Sequence, residues 1–492
     1  MFNQSVFSFA LCDKEDKNIQ NQFSVKENIG RYILLADGQT PLQRADSGDR
    51  TVIIYGYAVD VFSGESENLA EELLMSSHSI NDITERERKL GGKYLIFYAD
   101  KNECFCLGDA TCSVPLFYTL GLKGIKCCSN PEMIISNYGL KPDKYLQSVR
   151  DSGPINQAMP FDVTPYKEIK QLIPNHYVDF SEGKAVRFVN SKEKQKRISP
   201  AKAAEITAPM IEKLAEFYLS KFNIYCPLTS GRDSRVVYAY LKKINPDVES
   251  YTIWHDRFNK DDQDWQTPLK LSELTASEHK QLYKEEITPQ IKAYMDDILG
   301  VDGYPQDAFV LAVTVNKHFA DSATVEGDII GQVGKCSLHR NIPQLLATPA
   351  YFRCKLHNYS SAAKDLLGQW LKEIKRSDEK VNPFDLFSIE NRLGVWASHT
   401  HLIRNVMGQM YVNIFNSRSI IYTWTAVNRA ERMKSAIHVA LIELKYPELL
   451  QVPFEQDKSG LVAFAKSNSF VFYFASFAKY FVQKIKFNKN KK

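Results

Sequence analysis

The residue types best suited to chemistry lie together in Tyr225–Arg235, which reads Tyr-Cys-Pro-Leu-Thr-Ser-Gly-Arg-Asp-Ser-Arg. An alternating apolar run ends there at a Thr-Ser-Gly turn, and a helical pattern begins behind it. A strand that feeds a helix N-terminus presents backbone N–H groups and the positive end of the helix dipole, which together bind phosphate. Gly231 permits close backbone approach, and Asp233 is able to ligate magnesium. Hydroxyls that can donate to phosphate oxygens stand at Thr229, Ser230 and Ser234.

The residues alone leave a second interpretation open for this segment. A strand-to-helix turn of the ordinary kind also needs a small polar residue to cap the helix, and Asp233 or Ser234 would serve as the N-cap.

The segment resembles the pyrophosphate loop Ser-Gly-Gly-x-Asp-Ser of the asparagine synthetase family, whose enzymes adenylate a carboxylate with ATP. Gly231, Asp233 and Ser234 match that motif, whereas Thr229 and Ser230 replace its first serine and first glycine. The resemblance implies ATP and Mg²⁺ as cofactors, with Asp233 on the metal. The residues that it implies for ATP and pyrophosphate binding are Leu228, Thr229, Ser230, Gly231, Arg232, Asp233, Ser234 and Gly331.

Further segments resemble the same family in the same order along the chain. Gly91–Asp100 and Cys106–Tyr118 are similar to the core of class II glutamine amidotransferase domains, and Thr164–Tyr177 is similar to the segment that closes that domain. Asn413–Ile421 and His438–Phe454 resemble two late segments of the synthetase half. The resemblance implies an amidotransferase-like domain over residues 1–189 and an ATP pyrophosphatase domain over residues 199–492.

The N-terminal half departs from the family at the position that would hydrolyse glutamine. Glutamine-using members carry a cysteine directly after the initiator methionine, and its free amine acts as the base. Phe2 stands at that position here, and Cys12 is internal. The chain therefore resembles the cysteine-less branch of the family, similar to β-lactam synthetases and lasso-peptide cyclases. We expect no glutaminase activity.

The second family loop, Ser-Gly-x-Gly-x-Asp-Glu, has its best match in Ile330–Cys336. Gly331 fits, Gln332 stands where a glutamate is common, and Lys335 falls where a metal-binding aspartate would be. Lysine cannot ligate magnesium, but it can neutralise phosphate. The alternative is a helix-capping turn in a decayed site. Acids that can supply the missing carboxylate are Glu326, Asp328, Asp261, Asp262 and Asp264.

Family synthetases also use a late lysine, which stabilises the pyrophosphate leaving group. Lys458 lies at about the corresponding place after Pro453-Phe454. Together with Gln332 and Lys335 it completes the predicted catalytic set. His279 and His401 have no spacing typical of a metal site or a catalytic triad, so we interpret both as structural.

The pattern of the chain predicts an α/β plus β fold. Short alternating strands up to about residue 188 favour a layered antiparallel β domain with a covering helix near Ser66–Ser77. The basic stretch Asn190–Arg197 is interpreted as a linker. An amphipathic helix over Ala203–Phe222 and a β-α-β unit over Asn223–Trp254 then predict a parallel sheet. The chain after Thr275 is predicted to be mainly helical.

Composition limits the classes of function. A length of 492 residues suits two domains, and a net charge of +4 gives no general case for nucleic acid as a partner. Nine cysteines without a C-x-x-C pair indicate reduced thiols in the cytoplasm. No signal peptide and no apolar run long enough for a membrane span are expected. The sequence leaves open whether the protein forms a homodimer.

Phe470–Lys492 combines aromatic residues with lysines. One interpretation is an amphipathic helix that rests on anionic lipid. The other, which we favour from the sequence, is a last helix packed on the domain.

The resemblance to asparagine synthetases, together with Phe2, implies an ATP-dependent ligase that joins a small-molecule or peptide carboxylate to an amine without hydrolysing glutamine. A binding or scaffold protein on a decayed synthetase fold is the alternative, favoured by Gln332 and Lys335. A tRNA-modifying enzyme or sulfurtransferase with a similar loop is the third hypothesis. The near-neutral charge and the absence of paired cysteines argue against it.

Overall fold

The computed structural model describes residues 5–14, 17–153, 159–190, 195–293, 306–454 and 468–490. The strands of the first part are β1 (Phe9–Asp13), β2 (Val25–Ile29), β3 (Tyr32–Ala36), β4 (Leu42–Ser47), β5 (Arg50–Asp60), β6 (Leu90–Ala99), β7 (Cys104–Gly108), β8 (Phe117–Thr119), β9 (Ile125–Cys128), β10 (Ile169–Gln171), β11 (His176–Asp179) and β12 (Lys184–Arg187). Its helices are α1 (Lys17–Gln20), α2 (Leu69–Ser76), α3 (Ile80–Glu87), α4 (Glu132–Tyr138) and α5 (Lys144–Arg150).

The strands of the first part form two six-stranded antiparallel sheets, in the orders β10-β8-β9-β1-β3-β2 and β12-β11-β7-β6-β5-β4. The sheets pack face to face, and Phe9 of one sheet contacts Tyr55 and Phe97 of the other, with ring centroids 5.6 and 6.1 Å apart. Leu69 and Leu73 of α2 cover the outer face of the second sheet. The predicted layered antiparallel β architecture with a covering helix is therefore confirmed.

The second part begins with α6 (Pro200–Lys221) and contains a five-stranded sheet. Its elements up to the fourth strand are β13 (Ile224–Pro227), α7 (Arg232–Ile244), β14 (Glu249–Ile253), α8 (Gln263–Leu274), β15 (His279–Leu282), α9 (Gln306–His318) and β16 (Ala323–Val325). The following elements are α10 (Pro349–Lys355), α11 (Ser361–Arg376), α12 (Pro383–Phe387), α13 (Ser398–Val406), β17 (Met410–Val412), α14 (Arg418–Thr425), α15 (Arg429–Met433), α16 (Ala436–Lys445) and α17 (Ser469–Asn490).

All neighbours in this sheet are parallel, and the order is β15-β14-β13-β16-β17. The chain runs outward from β13 to β14 and β15, and then returns to β16 on the other side. The strand order thus reverses between β13 and β16, which makes the carboxyl ends of these two strands the topological switch point where such sheets bind ligands. The predicted parallel sheet with mainly helical structure after it is confirmed, although β15, β16 and β17 were not foreseen.

A buried polar network connects the first and second parts. Asn416 Nδ2 donates to the carbonyl of Gly92 at 2.6 Å and to Asp109 Oδ1 at 2.9 Å. Arg418, which is 1% exposed, pairs with Glu87 of α3, which is fully buried. One contiguous apolar core also contains residues of both parts. The domain boundaries at residues 189 and 199 stay a prediction, and residues 191–194 of the predicted linker lie outside the described ranges.

Helix α17 packs against α10 and the loop that follows it. The ring of Tyr473 stacks on Tyr351 with centroids 5.0 Å apart. Tyr480 is buried and donates to the carbonyl of Asn358 at 3.0 Å. The favoured interpretation of this segment was a last helix packed on the domain. It is correct for the face of α17 that carries Tyr473 and Tyr480. Within the described ranges, no helix is long and apolar enough to span a bilayer.

Candidate functional site

Two loops meet at the switch point. The first follows β13 and leads into α7, and the second follows β16 and leads into the single π-helical turn Ile330–Gly334. The glycines of the second loop show how close they come. A Cβ added at Gly327 would lie 3.0 Å from the carbonyl oxygen of Asp233, and one added at Gly331 would lie 2.6 Å from Asp233 Oδ2. A side chain at either glycine would displace Asp233, so only glycine fits at these two positions. The structure therefore brings both predicted loops together.

The first loop is held by its own hydrogen bonds. The backbone N–H of Thr229 donates to Ser234 Oγ at 3.2 Å, and that of Gly231 donates to Thr229 Oγ1 at 3.2 Å. Ser230 is fully buried, and its hydroxyl donates to Asp264 Oδ1 at 2.6 Å. Leu228 is buried and donates its N–H to the carbonyl of Tyr251. The hydroxyls of Thr229 and Ser234 lie 3.2 Å apart and contact each other, while that of Ser230 faces Asp264.

Helix α7 starts at Arg232, and its N-cap is Gly231. The alternative prediction of Asp233 or Ser234 as the N-cap is wrong, because both residues lie inside the first turn. No side chain caps this end among the described residues. The first-turn N–H groups have no intrahelical acceptors and carry the positive end of the dipole. This uncapped N-terminus fits a phosphate group.

Asp233 is surrounded by positive charge. Its Oδ1 lies 2.8 Å from Nε2 of the buried His438 of α16, and its side chain is 40% exposed. Burial raises the pKa of Asp233, but the hydrogen bond and charge of His438 and the charges of Lys335 and Arg232 outweigh it, so the pKa lies below its usual range. The carboxylate is ionised at neutral pH, and one of its oxygens faces Gly331.

The π-helical turn carries two of the predicted catalytic residues. Lys335 ends the turn, and its N–H donates to the carbonyl of Ile330 at 2.9 Å. Gln332 has a buried Oε1 with no hydrogen-bond partner in the part of the chain that the structure describes. A buried carbonyl oxygen without a partner is costly in a protein interior. The third predicted catalytic residue, Lys458, lies outside the described residues.

The acids considered as replacements for the missing carboxylate lie in two places, at the start of α8 and after β16. Asp264 accepts from Ser230, Asp262 caps α8, and Asp261 is exposed. Glu326 pairs with Arg404 at 3.0 Å, and Asp328 accepts from Asn413 Nδ2 at 2.6 Å. Burial raises the pKa of Glu326, whereas burial and the charge of Glu326 together raise the pKa of Asp328 to about 7.

These acids do not assemble into a metal cage. Among the described residues no group of three or more His, Cys, Asp or Glu side chains is placed to hold a metal ion. Asp233 is the carboxylate that lies against Gly327 and Gly331 of the second loop, and it would be a single protein ligand to a metal ion. That number is compatible with Mg²⁺ only when phosphates and water complete the coordination, as is common for nucleotide sites.

Sequence reasoning missed the residue that secures the first loop. Arg235 is fully buried and donates to four backbone carbonyls, those of Ser230, Leu449, Val452 and Pro453. Its guanidinium also stacks on Phe454, 4.1 Å from the ring centroid. Burial and the neighbouring Arg232 lower the pKa of Arg235 to about 10. The residue fixes the loop to the chain after α16, and the helical pattern around it carried no signal of that role.

His438 was missed for a related reason, because a lone histidine on a helix has no partner in the local sequence. The two histidines interpreted as structural have partners other than Asp233. His279 is placed between Ser250 Oγ at 2.8 Å and Thr252 Oγ1 at 3.1 Å, and burial lowers its pKa to about 4. His401 is buried with Nδ1 3.0 Å from the carbonyl of Ser113.

A small cavity lies beside the second loop, between the two parts of the chain, and Lys93 of β6 borders it together with Asp328 and Asn413. Lys93 is 1% exposed, and its Nζ donates to Asn405 Oδ1 at 2.8 Å and to the carbonyl of Tyr411 at 3.3 Å. Burial lowers the pKa of Lys93 to about 7.

We expect Lys93→Met to flatten the pH dependence of stability above neutrality. The folded pKa lies below the unfolded value, so between about pH 7 and 10 the unfolded chain binds more protons, and stability rises with pH by up to about 1.4 kcal/mol per unit. Urea unfolding of wild type and variant at pH 7, 8 and 9 measures this slope. Equal slopes in the two proteins would contradict the assignment. Lys270→Met, at an exposed position of α8, is the control.

Comparisons with known proteins add little to what the geometry of the two loops indicates. No protein-family model matches the chain, and no curated protein matches it. Among solved structures, the glutamine phosphoribosylpyrophosphate (PRPP) amidotransferase from B. subtilis, complexed with ADP and GMP, is similar at 10% identity and a TM-score of 0.23. That similarity covers 66% of this chain and 70% of the other. A TM-score this low does not establish a common fold.

Proposed function

We propose that this protein is an ATP-dependent carbon–nitrogen ligase that adenylates a carboxylate, releases pyrophosphate and transfers the acyl group to an amine. The observation that carries the proposal is the meeting of the two loops at the switch point, with the uncapped N-terminus of α7 and the Asp233 carboxylate against Gly331. The resemblance of both loops to those of asparagine synthetases supports the same reaction class.

The charges around the loop favour a polyphosphate. Arg232 and Lys335 are cations close enough to lower the pKa of Asp233, and His438 contacts the carboxylate directly. These three groups lie around Asp233, and cationic side chains in this arrangement suit the triphosphate of ATP better than an isolated metal ion. Magnesium bound with the nucleotide would neutralise phosphate charge, with Asp233 as its protein ligand.

Each remaining residue of the site has a proposed task. The first-turn N–H groups of α7 and the Thr229 and Ser234 hydroxyls bind phosphate oxygens. Lys335 neutralises charge on the departing pyrophosphate, a task that the resemblance also gives to Lys458. Gln332 uses its unpartnered Oε1 to accept a hydrogen bond from the acyl substrate and so orient it. Arg235 holds the loop in position without touching the nucleotide.

The first part of the chain is proposed to be an amidotransferase-like domain that does not hydrolyse glutamine. Phe2 stands where the nucleophilic cysteine is required, and all nine cysteines of the chain are buried. The amine is therefore supplied directly, free in solution or within the acyl substrate itself. Buried thiols support the proposed cytoplasmic location.

We expect Asp233→Ala to remove the magnesium-dependent part of ATP binding. Titration calorimetry with a non-hydrolysable ATP analogue should show that magnesium tightens binding to wild type, because Asp233 ligates the ion. The variant should bind at least about tenfold more weakly when magnesium is present, or about 1.4 kcal/mol. In the absence of magnesium, Asp233→Ala should bind the ATP analogue as well as wild type does, since the substitution then removes only a negative charge and no metal ligand.

The matched control is Asp261→Asn, an exposed carboxylate before α8 that should leave both affinities unchanged. Wild type that binds no ATP analogue would exclude the proposal. A variant with the same magnesium dependence as wild type would remove Asp233 from the metal site.

A second function, a binding protein on a decayed synthetase fold, is favoured by Lys335 at the position of the family's metal-binding aspartate. Pyrophosphate release with candidate carboxylates and amines separates the two. The ligase releases pyrophosphate while glutamate release from glutamine stays at background. The scaffold binds nucleotide and releases neither.

A further inference from the structure

Among the residues that the structure describes, helix α17 packs on the protein through one side only. Tyr473, Tyr480 and Phe487 lie on that side and contact the rings of Tyr351 and Tyr359. Tyr480 is 1% exposed. These contacts account for the half of the helix that faces α10 and the loop after it, and they leave the opposite half uncovered.

The uncovered half is apolar. Its large side chains and their exposed fractions are Phe470 (56%), Phe474 (66%), Phe481 (56%), Val482 (53%) and Ile485 (57%). At about 3.6 residues per turn the spacing of these positions places them along one stripe, the outer stripe of α17. A surface helix of a globular protein normally turns a polar face to water. Here the face turned outward is the apolar one.

The charges that border the outer stripe all have one sign. Ser469–Asn490 contains no aspartate or glutamate and four lysines, namely Lys479, Lys484, Lys486 and Lys489. On a helical wheel Lys479 and Lys486 lie along one edge of the stripe and Lys484 along the other. An apolar stripe between lysines is the pattern of helices that lie in the headgroup region of an anionic bilayer.

We propose that α17 docks this protein on the surface of an anionic lipid bilayer, with the outer stripe inserted at the boundary between headgroups and acyl chains. The lysines then contact lipid phosphates and carboxylates. A second copy of the chain is a poorer occupant, because pairing two outer stripes would bring two sets of lysines together. The contacts of Tyr473 and Tyr480 make the helix a rigid extension of the protein, so it binds without having to fold first.

The test is sedimentation of the full chain with vesicles of phosphatidylcholine alone or with phosphatidylserine added. Wild type should sediment with the anionic vesicles and much less with the neutral ones, and added salt should release it. Phe474→Gln/Phe481→Gln should bind about a hundredfold more weakly, since two large apolar side chains leave the lipid. Lys479→Gln/Lys486→Gln should bind about thirtyfold more weakly.

Phe62→Gln is the matched control, because Phe62 is also 56% exposed but lies in the first part of the chain. All variants change exposed side chains, so their thermal unfolding should match that of wild type. Wild type that stays in the supernatant with anionic vesicles would overturn the proposal. So would a concentration-dependent dimer, or a complex with another protein, that forms without vesicle binding and is lost in Phe474→Gln/Phe481→Gln.

Discussion

Lys335→Asp is expected to slow pyrophosphate release by roughly a hundred- to a thousandfold, the usual effect of removing one preorganised charge contact from a transition state. Lys335 is near enough to Asp233 to lower the pKa of its carboxyl. In the proposed reaction, the substitution replaces a cation beside the departing pyrophosphate by a second carboxylate. On the same proposal, the wild-type protein should remain active at low magnesium, because Lys335 would carry part of the charge that a second metal contact neutralises.

The measurement is pyrophosphate release across a magnesium titration, with Lys335→Met beside Lys335→Asp. Lys335→Met removes the charge without adding a ligand and should lower the rate at every magnesium concentration. Lys335→Asp should regain part of its rate at high magnesium, since a second carboxylate can then bind the metal. Lys270→Asp, on an exposed position of α8, controls for net charge. Undetectable release in wild type and variants alike, with a plausible substrate present, would favour the scaffold.

The parts of the site that could be predicted from sequence are those determined by local structure. The turn at Thr229–Gly231 and the glycine at position 331 are visible as motifs, because a strand-to-helix loop and a close backbone approach each need particular residue types nearby in sequence. The parallel β-α-β arrangement then fixes where the first loop lies. For these reasons the structure shows both loops at the switch point.

The residues missed were those whose partners lie far away along the chain. His438 contacts Asp233 across 205 positions, and Lys93 contacts Asn405 across 312. Arg235 was visible in the motif, but its acceptors include backbone carbonyls beyond α16. Every residue has a backbone carbonyl, so the residue types in the sequence do not show which carbonyls accept. Local pattern cannot specify such contacts, because they depend on how the two parts of the chain pack together.

The extent of the contacts between the first and second parts of the chain could not be predicted from the sequence either. A basic linker and a change of periodicity near residue 199 suggested two separable units, whereas Asn416 and Arg418 reach directly into the first part. An isolated antiparallel bridge between Gly91 and Ser417 adds a backbone contact. The cavity beside the second loop is bordered by residues of both parts, among them Lys93 and Asp328.

Arg418→Met is expected to lower the free energy of unfolding by about 3–5 kcal/mol, because it leaves a buried carboxylate without its cation. Arg418 pairs with the fully buried Glu87 and also donates to Asn175 Oδ1 at 2.9 Å. Burial raises the pKa of Glu87, and the charge of Arg418 opposes that rise. Without Arg418 the folded pKa of Glu87 moves higher still, so the folded state takes up a proton that the unfolded state does not hold at neutral pH.

The sign of the pH dependence follows from that proton. A carboxyl whose folded pKa exceeds its unfolded value costs stability as pH rises above the unfolded value, so Arg418→Met should be less destabilised at pH 5 than at pH 8. Glu87→Gln/Arg418→Met should regain much of the loss, since neither member of the buried pair is then charged. Arg376→Met, at an exposed position of α11, should have little effect.

Urea unfolding followed by circular dichroism and by tryptophan fluorescence measures these differences. Because Glu87 lies in the first part of the chain and Arg418 in the second, the pair stabilises both only if they unfold together. We therefore expect the circular dichroism and fluorescence transitions of wild type to coincide. In Arg418→Met both transitions should shift together to lower urea concentration. Two separate transitions, with the variant within about 1 kcal/mol of wild type, would mean that each part folds by itself. The cavity between the two parts would then have to form by docking of two prefolded units.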